Sequence, residues 1–275
     1  MRFIRVLEAL YNEPWCIKES AHAKIRAVVI AKLNGSPLGI PEQSSKQPMA
    51  VNRTVAVIPI HGILAKGVSS IEKSSGVTDI GDIANNLADA MDDRSVSSVL
   101  LDVDSPGGSA KGIAGLAQAI KQADAVKPVY SFCDGSMDSG ALWLAAGARH
   151  IMATGDSDIG SVGCYIPFLD ESIAYEKEGL RMDVIRNEDS PYKGTGVPGT
   201  TLTKDQRDYL LQRVTDISDA FKAHLMANRP NLSSEAMDGR SFSAQDSLEY
   251  GLIDEIGTFE EAIASCAMAS TMNAR

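Results

Sequence analysis

Along the chain, short aliphatic runs alternate with stretches in which apolar residues recur every three or four positions. The runs Thr54–Ile60 (TVAVIPI), Ser98–Val103 (SVLLDV), Val129–Cys133 and His150–Ala153 predict buried strands. Between them, Val77–Met91, Ser109–Ala123 and the alanine-rich Leu142–Ala148 carry helical spacing. Strand–helix alternation predicts βαβ units on a parallel sheet, an α/β fold. Further on, Leu202–Asn228 predicts a long helix opened by the capping box Thr203-Lys204-Asp205-Gln206 and stopped by Pro230. Its residues Leu210, Leu211, Val214, Ile217, Phe221 and Leu225 form a wide apolar stripe, fit either for the chain's own sheet or for a second copy.

The first 53 residues read differently. Phe3, Val6, Leu7 and Leu10 share helical spacing until Asn12-Glu13-Pro14 interrupts it, and Ala21–Leu33 predicts a second helix closed by Asn34-Gly35. Residues 35–53 are rich in Pro, Gly and Ser, the chemistry of a linker. The expected organisation is a helical arm over residues 1–34 and a linker over 35–53. A main domain over 54–263 and a tail over 264–275 follow.

Charge sharpens that division. Residues 1–33 hold six basic and three acidic side chains, whereas the whole 275-residue chain has a net charge of −10. The arm is therefore expected either to pack as a solvated helix pair or to dock on an acidic partner or neighbouring subunit. The anionic body argues against nucleic acid as a partner. Cys16, Cys133, Cys164 and Cys266 lie far apart without a CxxC pair, which fits a reducing compartment and predicts neither a disulfide framework nor a metal site. No apolar run reaches the ~18 residues of a membrane span, and the opening residues lack the apolar core of an export signal. A cytoplasmic protein without cofactor is expected.

Two turns follow predicted strands with glycine at the junction. Asp104-Ser105-Pro106-Gly107-Gly108-Ser109 offers free N–H groups to an oxyanion or phosphate, or is an ordinary tight turn. Asp134–Ala141 places Ser139-Gly140 where a strand enters a helix, the position of an exposed nucleophile or of a helix N-cap. A serine nucleophile needs a base. Of the four histidines, His22 and His224 are expected on helix surfaces, and His61 and His150 at strand ends with local partners. Lys193, in the loop Ser190–Gly196, is the lysine candidate, or else a solvated loop residue.

Taken in order, SPGG, SMDSGALWLAAGA, GSVG (Gly160–Gly163), PYKGTG and GRSFSAQDSLEYGLIDEIG (Gly239–Gly257) resemble the S49 peptidase family across Thr54–Ile263. These are signal-peptide-peptidase-A-like serine proteases of the ClpP/crotonase fold. The resemblance implies repeated ββα units and a Ser–Lys dyad, with Ser139 as nucleophile and Lys193 as general base. Ser161 would support the lysine, and Gly107 or Gly108 with the N–H of Gly140 would form the oxyanion hole. A Ser–His–Asp triad of the ClpP type would need a histidine within Asp158–Cys164, and none stands there. Two positions depart from the pattern: Ala141 replaces a second glycine, and Asp138 puts a carboxylate beside the nucleophile.

The opening, with Tyr11-Asn12-Glu13-Pro14-Trp15, Ala21-His22-Ala23 and Val55–Gly62, is similar to the phage head-maturation proteases of the lambda protein C type. That likeness implies scaffold, portal or the protease itself as substrate, in host cytoplasm or procapsid, and a closed homo-oligomer with Ser139 facing inward and the arm at its periphery. Three rivals remain: a cytosolic S49 peptidase acting on peptides or signal-peptide remnants, an acyl-CoA enzyme of the crotonase type, and a catalytically dead capsid-assembly protein.

Overall fold

The computed structural model describes residues 10–33, 50–52, 54–73 and 76–272. Phe3, Val6 and Leu7 of the expected first helix and most of the linker lie outside these residues. The remainder folds around two sheets. The larger has the order β11-β10-β8-β6-β3-β2, formed by Ser241–Ser243, Asp158–Gly160, Val129–Asp138, Ser98–Ser105, Val55–His61 and Ala50–Asn52. β9 (His150–Ala153) joins the first half of β8, and β12 (Glu255–Ile256) joins β9. β3, β6, β8, β9, β10 and β12 run parallel, while β2 and β11 are antiparallel additions at the two edges.

The smaller sheet has the order β1-β7-β4-β5: Trp15–Ile17, Gly107–Ser109, Ile63–Ala65 and Val77–Asp79. It forms because β3 and β6 each hand the chain on to a second short strand. At Gly62 (φ 70°) the chain turns from β3 into β4, and at Pro106 it passes from β6 into β7. The helices α3 (Ile80–Asp92) and α4 (Ile113–Asp124) complete these ββα units, as the resemblance implied. The remaining helices are α1 (Glu19–Leu33), α2 (Ser70–Lys73), α5 (Gly140–Ala145), α6 (Ser172–Lys177), α7 (Lys204–Asn228), α8 (Ala244–Glu249) and α9 (Phe259–Met272).

The strand alternation sorts side chains into two cores. In β6, Val99, Leu101 and Val103 join Ile83, Leu116, Ile120 and α5 on one face. Leu100 faces the other way with Val55, Phe132 and Met152, under Ile263 and Cys266 of α9. Pro59 is tolerated inside β3 because β2 pairs only with Val55–Val57, leaving its missing N–H at an open edge.

Three expectations need correction. The segment written as linker ends in a strand, β2, paired with β3. His22 is buried rather than superficial, its Nε2 3.1 Å from the Leu10 carbonyl, and its ring meets Trp15 and Tyr165 edge-on. His224 is half-buried, because its helix packs on the body through Phe221 and Leu225. The same helix opens with the capping box expected of it, Thr203 and Gln206 exchanging backbone hydrogen bonds. Its apolar stripe splits: Phe221 and Leu225 are buried, but Leu211 is 60% exposed.

Candidate active site

β8 continues through Asp138 and α5 begins at Gly140, so Ser139 alone joins them. It adopts φ 53° and ψ −116°, a conformation costly for any residue with a Cβ. Three contacts hold it there. The Ser139 N–H donates to the Gly160 carbonyl at 2.7 Å, its own carbonyl accepts from Trp143 N–H at 3.0 Å, and all six residues of α5 are buried. Trp143 also stacks on Phe221 at 4.7 Å and 7°, tying α5 to α7. A serine on a strained strand-to-helix turn is the arrangement that presents a nucleophile above a sheet end.

The glycine turn lies directly against this junction. Gly107 has φ 90°, and a Cβ there would stand 2.2 Å from the Cys16 carbonyl oxygen and 2.8 Å from the Gly140 nitrogen. A Cβ on Gly108 would stand 1.9 Å from the Leu64 carbonyl oxygen. Only glycine lets β7 approach both β4 and the start of α5. The Gly107 N–H donates to Ser105 Oγ at 3.2 Å, and the turn's close packing brings β7 against the Gly140 nitrogen, next to Ser139. Gly140 opens a helix, so its N–H has no intrahelical partner. Such a donor suits a developing oxyanion.

Ser161 follows β10 as Ser139 follows β8, and the two strands pair with Gly160 opposite Asp138. Ser161 is likewise buried and at φ 53°, its N–H donating to the Arg240 carbonyl at 2.7 Å. Asp138 points away from the nucleophile into the sheet. Its Oδ1 accepts from Ser241 Oγ at 2.6 Å, and Oδ2 faces the Lys18 ammonium at 3.1 Å without an aligned hydrogen bond. Burial raises its pKa, opposed by Ser241 and Lys18. Lys18 also meets Asp158 at 3.0 Å.

Lys193 is not joined to this group within the chain. It is exposed, forms no side-chain hydrogen bond or ion pair among the described residues, and lines a cavity of about 300 Å³ with Asn12, Ile166, Tyr209 and Arg213. His61 serves Asp102 instead, Nε2 to Oδ2 at 3.0 Å, an ion pair that raises its pKa. It lines a separate cavity of about 450 Å³ with Lys73, Asp79, Asp82 and Asp104. His150 Nε2 pairs with Glu255 at 3.1 Å. Thus Ser139, Ser161, Gly107, Gly108 and Gly140 come together, and Lys193 does not. Sequence reasoning missed β1 and Lys18; its only trace was the three-residue apolar run after Pro14, too short to separate from loop.

Comparison with known proteins decides the family. Residues 121–273 match the model of Peptidase family S49, more than half of the chain. The chain belongs to peptidase family S49. It is 28% identical to the head-tail preconnector protein GP5 of Enterobacteria phage P21, over 98% of this chain and 58% of that protein. It is 27% identical to the capsid assembly protease C of Escherichia phage lambda, over 90% of this chain and 56% of that one. Against protease 4 of Haemophilus influenzae the identity is 29%, over 78% and 34%. The chain thus spans little more than half the length of these phage relatives. Among solved structures, an enoyl-CoA hydratase from Shewanella pealeana matches with a TM-score of 0.40 and 16% identity, over 79% of this chain and 69% of that one. Among the described residues no helix is long and apolar enough to cross a membrane, and no cluster of metal-ligating side chains occurs.

Proposed function

We propose that this S49 peptidase is a serine endopeptidase acting in phage or prophage head maturation, on scaffold, portal or its own kind. The observation that carries the reading is Ser139 at φ 53° against the glycine pair Gly107-Gly108. In the proposed mechanism Ser139 Oγ attacks the scissile carbonyl while neutral Lys193 takes its proton. The N–H groups of Gly140 and of Gly107 or Gly108 receive the oxyanion, each such donor worth ~10²–10³ in kcat. The lysinium then protonates the leaving amine, and water deacylates Ser139 by the reverse path.

Within the chain no hydrogen bond joins Lys193 to Ser139 among the described residues. Lys193 sits in a segment that also exposes Leu169, Ile173, Leu180, Met182 and Ile185, the last at 95%. That much open apolar surface favours a contact between copies. In the proposed closed homo-oligomer, Lys193 of one subunit completes the site of its neighbour.

The test is hydrolysis of candidate capsid proteins co-expressed with the wild type or with Ser139→Ala. Processed fragments from the wild type alone are expected. Equal processing by both overturns Ser139 as nucleophile.

A further inference from the structure

The site is not empty: the chain's own arm lies across it. β1 pairs antiparallel with β7 along Trp15↔Ser109, Cys16↔Gly108 and Ile17↔Gly107. On its other edge Trp15 exchanges both backbone hydrogen bonds with Tyr165, at 2.9 and 3.1 Å, just beyond the Ser161 turn. Beyond the pairs with β7, Lys18 N–H donates to the Pro106 carbonyl and Ala110 N–H to the Pro14 carbonyl, at 2.9 and 3.1 Å. Hydrogen-bonded positions alternate in such a ladder, which puts Cys16 and Gly108 at one of them. The Cys16 carbonyl is thereby aimed at the Gly107–Gly140 region, where the oxyanion would form. An extended segment held on both edges, with one carbonyl over the glycine turn, is how a peptide would lie for attack by Ser139.

We propose that Trp15–Lys18 is an internal pseudosubstrate: it seats in the peptide groove with the Cys16 carbonyl in the scissile position, and Lys18 latches it to Asp138 and Asp158. The inference rests on Ser139 being the nucleophile. It also reads out specificity. The Cys16 side chain is fully buried with its thiol against Cys164, so the groove takes a small residue before the scissile bond. Lys18 places a cation two residues after it, against two carboxylates. Incoming segments must displace the arm, so the apparent affinity for any peptide falls by the fraction of chains whose arm is seated. In a subunit without a neighbour to supply Lys193, no base is at hand and the seated arm is held uncut.

The test uses the full chain. A fluorescent peptide PWCIKES is titrated against Ser139→Ala and against Ser139→Ala with Lys18→Glu, with Lys18→Gln as a milder second variant and Lys18→Arg as the conservative control. Thermal midpoints check folding. Releasing the latch is expected to tighten peptide binding at least tenfold, with Lys18→Arg behaving as the parent. Equal affinity across folded variants overturns the proposal. With Ser139 intact, Lys18→Glu is expected to raise peptide hydrolysis and fluorophosphonate labelling several-fold. A binding gain without hydrolysis or labelling in any variant upholds the seated arm and rejects Ser139 as nucleophile. Hydrolysis by every variant at one rate, with equal binding, rejects the arm and keeps Ser139. Mass spectrometric detection of a cut between Cys16 and Ile17 in the wild type alone would make the arm a substrate and overturn its role as inhibitor.

Discussion

Ser139 and Ser161 are a matched pair: each stands at φ 53° just past the end of its strand, and the Ser139 N–H donates to the carbonyl of Gly160, the residue before Ser161. The two strained turns brace one another. A Cβ on Gly160 would stand 2.5 Å from the Arg240 carbonyl oxygen, so the brace depends on that glycine. Ser139→Ala is expected to lower kcat by about 10⁶ with an unchanged thermal midpoint. Ser161→Ala is expected to cost less than ~10²-fold, the low end of what a general base contributes, and to shift the pH–rate profile. Gly160→Ala is expected to lower the midpoint and the activity together. Full activity in Gly160→Ala would show that the brace is dispensable.

The glycine turn makes a separable claim. Gly108→Ala forces a methyl onto the Leu64 carbonyl, and Gly107→Ala adds the strain of φ 90° to a clash with the Cys16 carbonyl. Both are expected to destabilise the fold, Gly108→Ala the more because its clash is with backbone in the centre of the small sheet. Chemical denaturation compares them. A Gly108→Ala midpoint matching the wild type would mean β4 and β7 are not this close in solution.

How far the sequence foretold this site depends on the length of each element. β6, β8 and β9 are legible because their aliphatic runs are buried on both faces, and Ser139-Gly140 is legible as a strand-to-helix junction. The three-residue β5 falls in the sequence reading of a helix from Val77, and β7 in a glycine turn running into a helix at Ser109, because Val77 and Ser109 fit helical spacing while the strands' partners lie elsewhere in the chain. Asp138 looked like an electrostatic liability. Its burial toward Ser241 and Lys18 is a tertiary fact that no local pattern carries. The same holds for β1, whose two partners, β7 and Tyr165, lie about 90 and 150 residues further along the chain.

The trans assignment of the base predicts complementation. Ser139→Ala and Lys193→Ala are each expected to be inactive alone. Co-expressed, they are expected to recover activity, because some sites then combine an intact serine with a neighbour's intact lysine. A co-expressed pair that stays inactive, in particles of wild-type mass by light scattering, places both residues in one subunit.

Among the four cysteines, Cys164 is expected to be alkylated first. Cys16, Cys133 and Cys266 are buried, and burial raises the last two to about 12 and about 11. Cys164 is half-buried, and the Cys16 thiol, backbone N–H groups and Arg213 hold its pKa below the ordinary thiol value. A thiolate reacts and a thiol does not, so the iodoacetamide rate should rise with pH through a midpoint below that of an ordinary thiol. Cys16→Ala removes the largest stabilising contact and should move that midpoint upward. An unchanged midpoint would show that the two thiols do not touch.

Asp138 gives the last prediction. Its pKa is raised in the folded chain, chiefly by burial, so the folded state keeps this proton to higher pH than the unfolded state does. Between the unfolded value near 3.8 and the folded one, the folded state binds more protons, and stability falls as pH rises. Above that window the buried carboxylate is a standing cost that Ser241 and Lys18 only partly offset. Asp138→Asn keeps an oxygen for Ser241 and removes the charge. It is expected to be the more stable protein at pH 7, with an advantage that shrinks through the window and vanishes below pH ~3.8. Losing the carboxylate also weakens the hold on Lys18, so the same variant should admit the PWCIKES peptide more readily. Thermal midpoints of both proteins from pH 3 to 8 decide the matter. A variant less stable than the wild type at pH 7 would mean that the ion pair with Lys18 outweighs the burial of Asp138.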